Sequence, residues 1–225
     1  MPLPRPRLRV LLRRAAALCL ALAPALPAAA AEGAEGASWV VVAGVEAGDA
    51  LTVRAEPRGE AAALGALPPG ALALATGETA RSSVLWSRVA TGELQGWVAS
   101  RFLAPARFRT LDDADLPAEG ICAGAEPFWS ARWADGTLTL AAPDAPDRAL
   151  PITAVPRAEG RAFGVIESAA ADGPHVLLSY AQTLCGDTMS DAPSLGTARL
   201  FVIEGGETRW YSGCCRPLPG ALAAE

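Results

Sequence analysis

Five cysteines, one histidine and no lysine bound the chemistry open to this chain of 225 residues. Cys214 stands directly beside Cys215 in the stretch YSGCCRPLP, residues 211–219. Adjacent cysteines can ligate a metal, carry out thiol–disulfide exchange, or each bond to a distant partner. Structural zinc usually takes paired C-x2-C knuckles, and none occurs here. A redox dithiol of the C-x-x-C kind is absent as well. The bonding reading therefore depends on the compartment, which the N-terminus addresses.

Arg5, Arg7, Arg9, Arg13 and Arg14 form a basic start, AAALCLALAPALP an apolar core, and AAAAE a small-residue cleavage region after Ala31. This is the pattern of an export signal over residues 1–31. The apolar run is short and broken by proline, whereas a membrane span needs about 20 apolar residues. Cys19 follows Leu18 inside that run, where a lipobox wants a small residue, and is expected to leave with the signal. Cys122, Cys185, Cys214 and Cys215 then remain, an even number within one exported segment, which reads as two disulfides. Of the three connectivities, a Cys214–Cys215 bond closes a ring that distorts the intervening peptide. Neighbouring residues of a strand point to opposite faces, so one chain position can tie two different elements. Cys214 and Cys215 are thus expected to bond Cys122 and Cys185, in either order.

His175 is alone, and the zinc amidases and H-E-x-x-H peptidases need at least two histidines. After cleavage only Cys122 precedes it in the order a wall-cleaving cysteine peptidase uses, and taking that thiol leaves an odd number for bonding. GPHVLLSY puts His175 at the mouth of a strand, where a surface histidine is the ordinary outcome. The absence of lysine removes Walker A, Schiff-base and Ser-x-x-Lys chemistry, and no G-x-S-x-G elbow occurs. No pair of carboxylates stands out for glycoside cleavage. These exclusions point to a protein that is not an enzyme and needs no cofactor or metal. Loss of residues 1–31 takes five arginines and no acid, leaving 14 basic against 24 acidic residues, a net charge of −10. So acidic a chain is a poor partner for nucleic acid, and no transmembrane span remains in the mature chain.

The elements that must hold these residues divide at RFRTLDDADLPAEG, residues 107–120. The expected organisation is a signal peptide 1–31, a first β domain 38–105, a linker 106–120, a disulfide-containing β domain 121–217 and a tail 218–225. In the first half WVVVAGV, DALTVRAEP, LPPGALALA and LWSRVATGELQGWVAS are short strands between turn residues. Leu51 and Val53 share one face of theirs, and Thr91-Gly92 turns a hairpin. Five short strands in about 65 residues suit a small barrel. The segments Leu51-Thr52-Val53-Arg54, Leu67-Pro68-Pro69-Gly70, Trp86-Ser87-Arg88-Val89 and Gly96-Trp97-Val98, followed by SRFL, resemble a bacterial SH3 domain over nearly its whole length. Ala55-Glu56 replaces the small polar and glycine residues of that pattern in a loop facing a ligand. The resemblance implies an SH3-like barrel that binds cell-wall peptide or a protein of the envelope. Trp86, Trp97 and Phe102 are its candidate aromatic planes, with Trp97 expected to pack the barrel end.

The second half contains two clear hairpins. In PFWSARWADGTLTLAAP, Trp129, Ala131 and Trp133 alternate with Phe128, Ser130 and Arg132, and Asp135-Gly136 makes the turn. ARLFVIEGGETRWYSG turns at Gly205-Gly206, and RAFGVIES and PHVLLSYAQ are further strands. Six to eight antiparallel strands predict a curled sheet or barrel. Cys122, Gly124, Glu126, Pro127, Phe128 and Trp129, then Cys185, Asp187, Met189, Ser190 and Asp191, then Gly213, Cys214 and Cys215 form three blocks. They are similar to an uncharacterised domain of Gram-negative envelope and lipoprotein-like proteins, which implies location and architecture but no activity. Glu126, Asp187 and Trp129 are candidate ligand-binding residues, since disulfides would draw these blocks together.

The expectation is an all-β protein, an SH3-like barrel followed by a disulfide-stapled antiparallel domain. It would serve as a periplasmic or secreted binding protein of the cell envelope. An alternative is an inhibitor of a cationic wall hydrolase such as a lysozyme, which the size, acidity and disulfides permit.

Overall fold

Turn residues cut the chain into short extended segments, and alternation within each segment decides which side chains go inward. The computed structural model describes residues 36–224 apart from 113, 115, 144, 157–162 and 187–191. The segments make two antiparallel sheets, with no α-helix among the described residues. The expected signal peptide, together with Asp187, Met189, Ser190 and Asp191, lies outside the described residues.

The first sheet is built from Ser38–Val42 (β1), Leu51–Arg54 (β2), Ala63–Leu67 (β3), Leu72–Arg81 (β4), Leu85–Thr91 (β5), Leu94–Ala99 (β6) and Leu103–Pro105 (β7). Its strand order is β3-β2-β6-β5-β4-β1-β7. Inward positions of the alternating runs, Val40, Val42, Leu51, Val53, Leu67, Val89 and Val98, form one apolar cluster. Gly92 takes a φ of 54° in the β5–β6 turn, a conformation that glycine adopts without cost. Seven strands stand where five were expected. β3 has exposed Ala63, Leu64 and Ala66, and thus no inward–outward alternation to read.

The second sheet closes on itself. Gly120–Ala125 (β8), Phe128–Ala134 (β9), Thr137–Ala142 (β10), Ala145–Ala154 (β11), Phe163–Ala169 (β12), His175–Gly186 (β13), Pro193–Glu204 (β14) and Glu207–Pro217 (β15) each pair with the next. β15 returns to β8 through Cys215 opposite Cys122, completing an eight-stranded barrel. Both expected hairpins are present. Asp135 and Gly136 have φ of 48° and 73°, and Gly205 and Gly206 have 61° and 82°. Two central residues with positive φ match the right-handed strand twist.

Between β8 and β9 the largest interior side chains face residues that have none. Trp129 and Trp133 project inward from β9, and their cross-strand partners on β8 are Gly124 and Gly120. A Cβ at Gly120 would overlap the Trp133 ring, and one at Gly124 the Trp129 ring. Trp133 is fully buried, packs edge-on to Tyr180 at 6.3 Å between centroids, and donates its indole N–H to the Pro117 carbonyl at 2.8 Å. Residues expected as a linker therefore contribute to the barrel: Ala114 and Leu116 are buried in its core. The same stretch pairs with the tail, Arg109 N–H donating to Ala221 O at 2.8 Å and Ala223 N–H to Arg107 O at 2.9 Å.

The disulfides join Cys122 to Cys215 and Cys185 to Cys214. The adjacent cysteines do tie two elements from one strand. Cys215 points into the core beside buried Cys122, whereas Cys214 and Cys185 are partly exposed on the outer wall. Their sequence separations of 93 and 29 residues correspond to about 4.5 and about 3.5 kcal/mol in the chain-entropy treatment.

Candidate functional site

Two of the clefts among the described residues gather charged and polar side chains around residues singled out from the sequence. The first, about 660 Å³, lies on the first sheet between the β2–β3 loop and the β4–β5 turn. A relay of hydrogen bonds fixes these walls. The Trp86 indole N–H donates to Ser82 Oγ at 3.0 Å, and Ser82 Oγ donates to Pro57 O at 3.1 Å. Arg54 Nη1 holds the loop from within by donating to Ala61 O at 2.8 Å. Trp86 and Phe102 both line this cleft, so two of the three aromatic residues singled out from sequence come together. Trp86 is buried at 6% exposure, and Phe102 is half-buried with the Arg101 guanidinium 4.7 Å from its ring centroid. Trp97 is half-exposed and does not line the cleft; it sits on β6 opposite Arg54 and Arg88. Around the aromatic residues stand Glu46, Asp49 and Glu60 and the cations Arg54, Arg58 and Arg101. A cleft that offers both charges beside aromatic carbon suits a ligand carrying both charges, such as a short peptide.

The second cleft, about 680 Å³, lies on the outer wall of the barrel across β8, β13, β14 and β15. Glu126 is exposed at its rim, in the turn that contains the cis Glu126–Pro127 bond. Trp129, expected as a ligand-binding residue, faces the barrel interior instead, 7% exposed, because it falls on the inward parity of β9. It supports the cleft from behind, donating its indole N–H to Ser212 O at 3.3 Å and packing against Tyr211 with centroids 6.1 Å apart. Asp187 lies outside the described residues. Ser179, Thr197, Arg199 and Ser212 also line the cleft. They carry no motif, since polar residues at outward positions of an alternating strand are what any barrel surface shows.

His175 Nε2 lies 2.8 Å from Glu167 Oε1 on the neighbouring strand, away from both clefts. The ion pair of Arg148 and Glu204 is also outside them. Arg148 donates two hydrogen bonds to Glu204, at 2.7 and 3.0 Å, and these hold the Glu204 carboxyl below the usual carboxylate range. Burial pushes the Tyr180 phenol up to about 12. All four described sulfurs are bonded in pairs. Comparison with family models, curated proteins and solved structures returns no match.

Proposed function

We propose that the protein is an exported binding protein of the cell envelope whose first sheet, an SH3-like module, recognises cell-wall peptide. The observation that carries this reading is the first cleft, in which Trp86 and Phe102 lie among three carboxylates and three guanidinium groups. Cell-wall peptides offer carboxylates, an amine and short aliphatic side chains, and each has a counterpart in that lining. Two disulfides fit an oxidising compartment outside the cytoplasm. No described helix is long and apolar enough to cross a membrane. The function needs no catalytic group; binding rests on the walls that the Trp86–Ser82–Pro57 relay holds in place.

The test is co-sedimentation of the chain from Glu32 onward with isolated peptidoglycan sacculi at low salt. Retention is expected, with Arg101→Glu weakening it while the fold persists. Absence of retention, or retention that Arg101→Glu leaves unchanged, overturns the assignment.

A second reading, inhibition of a cationic wall hydrolase, is favoured by two exposed aromatic residues on the outer wall, Trp210 at 62% and Phe128 at 56%. Aromatic anchors of this kind concentrate binding energy in protein interfaces. Titrating lysozyme activity with the protein separates the two readings, since wall binding alone leaves the enzyme's activity on a soluble substrate unchanged.

A further inference from the structure

The outer wall of a barrel is convex, so a cleft there needs a cause, and the Cys185–Cys214 disulfide supplies it. Cys185 is on β13 and Cys214 on β15, with β14 between them. Strands two apart in a flat sheet are separated by about 9.5 Å, yet the two Cα atoms are 5.5 Å apart. The ends of β13 and β14 must therefore fold over the outer face. The register of β13 on β14 shifts between Ala181 and Leu184, which provides the bend. A hydroxyl pair, Thr183 Oγ1 to Thr197 Oγ1 at 2.9 Å, closes the same crossing. The overhang is covalently held, and a pre-organised cleft loses less freedom on binding.

Beneath it, one row of cross-strand neighbours runs Ser179, Arg199, Ser212 across β13, β14 and β15. Residues paired in this way share a face, and all three line the cleft. No described residue engages the Arg199 guanidinium or the two flanking hydroxyls. A guanidinium between two hydroxyl donors matches a carboxylate, which accepts several hydrogen bonds and pairs two of them with arginine. Glu126, in the turn after β8, also lines the cleft and presents an acceptor of opposite charge.

We propose that this cleft is a second binding site, taking a small zwitterion such as an amino acid or a short peptide. The ligand carboxylate sits on Arg199, Ser179 and Ser212, and its ammonium faces Glu126. This site is separate from the first cleft and does not depend on wall recognition.

Calorimetric titration with the soluble dipeptide alanyl-alanine, its C-terminal amide and its N-acetyl derivative tests the proposal. The dipeptide is expected to bind saturably and its amide not to bind. Arg199→Gln should weaken dipeptide binding about tenfold or more, the scale of a lost charge-assisted pair. Glu126→Gln should weaken the dipeptide and leave the N-acetyl derivative unchanged. Ser212→Ala gives a second, smaller loss at an exposed position, and circular dichroism with nonreducing peptide mapping confirms that each variant folds. No saturable binding up to about 10 mM, weaker than specific sites normally show, overturns the proposal. So does equal binding by wild type and Arg199→Gln. Because the probe is soluble, failure here and failure of sacculus retention are separate results.

Discussion

At the residue scale the barrel is specified by the pairing of the largest interior side chains with residues that have none. Gly120 faces Trp133 and Gly124 faces Trp129 across one ladder. Gly120→Ala should lower stability by about 1–3 kcal/mol, the usual cost of overpacking, measured as a fall in thermal midpoint; an unchanged midpoint would mean that the Trp133 ring can shift. The alternation of Trp129 and Trp133 with Phe128, Ser130 and Arg132 was legible in PFWSARW, but not which face turns inward, and Trp129, expected to bind a ligand, lies in the core. The glycine partners of the two tryptophans were not legible, because a cross-strand neighbour is set by register and not by local pattern. Tyr180 supplies a pH prediction. Its phenol is raised from 10.0 to about 12 by burial, so the folded state favours the neutral form. That contribution is complete below pH 10 and is lost as pH rises through about 12. Phenolate absorbance should therefore show a late step near pH 12 that Tyr180→Phe removes, with thermal stability declining over the same window.

At the scale of elements the two disulfides differ in access. Cys122–Cys215 is buried in the core, while Cys185–Cys214 is partly exposed beside the second cleft. Thiol–disulfide exchange requires a thiolate to reach a sulfur. Mild reduction of the native protein followed by alkylation should label Cys185 and Cys214 first and leave Cys122 and Cys215 bonded; equal labelling would contradict the burial. Replacing Cys185 and Cys214 together by serine should cost about 3.5 kcal/mol and remove the overhang above Arg199. Adjacency and cysteine parity disclosed that Cys214 and Cys215 each bond a distant partner, but not which, since either order satisfies the same spacing. The hairpins at Asp135-Gly136 and Gly205-Gly206 were readable from turn chemistry. β11 was not: Pro146 and Pro151 interrupt it, and Pro151 adjoins Ile152, where the register against β12 begins to shift. Proline reads as a break when the surrounding sheet is unknown.

At the scale of the whole molecule, the two clefts described, one on each sheet and similar in size, are each lined by both charges. The all-β class follows from alternation and turn spacing, which left six to eight strands and either a curled sheet or a barrel. The closure of eight strands rests on the pairing of β15 with β8, which no local pattern carries. Neither cleft was legible as such, because each assembles residues from three or more elements that share no sequence signal. Trp86 and Phe102 were identified as aromatic residues of a groove, and the arginines and carboxylates around them were not. Residues 107–120 read as polar and punctuated by Pro117 and Gly120, yet Leu116 is fully buried among barrel side chains. A segment whose few apolar residues face a pre-existing core resembles a linker when taken alone.

The central claim is that the first cleft holds cell-wall peptide. It is tested most directly by following backbone amide resonances of the chain from Glu32 onward during titration with a soluble wall tetrapeptide. The account predicts saturable shifts at the cleft, in residues 44–60, 82–86 and 99–102, that Arg101→Glu abolishes. Saturating peptide that leaves those resonances unmoved, or that shifts only residues remote from the cleft, would contradict it.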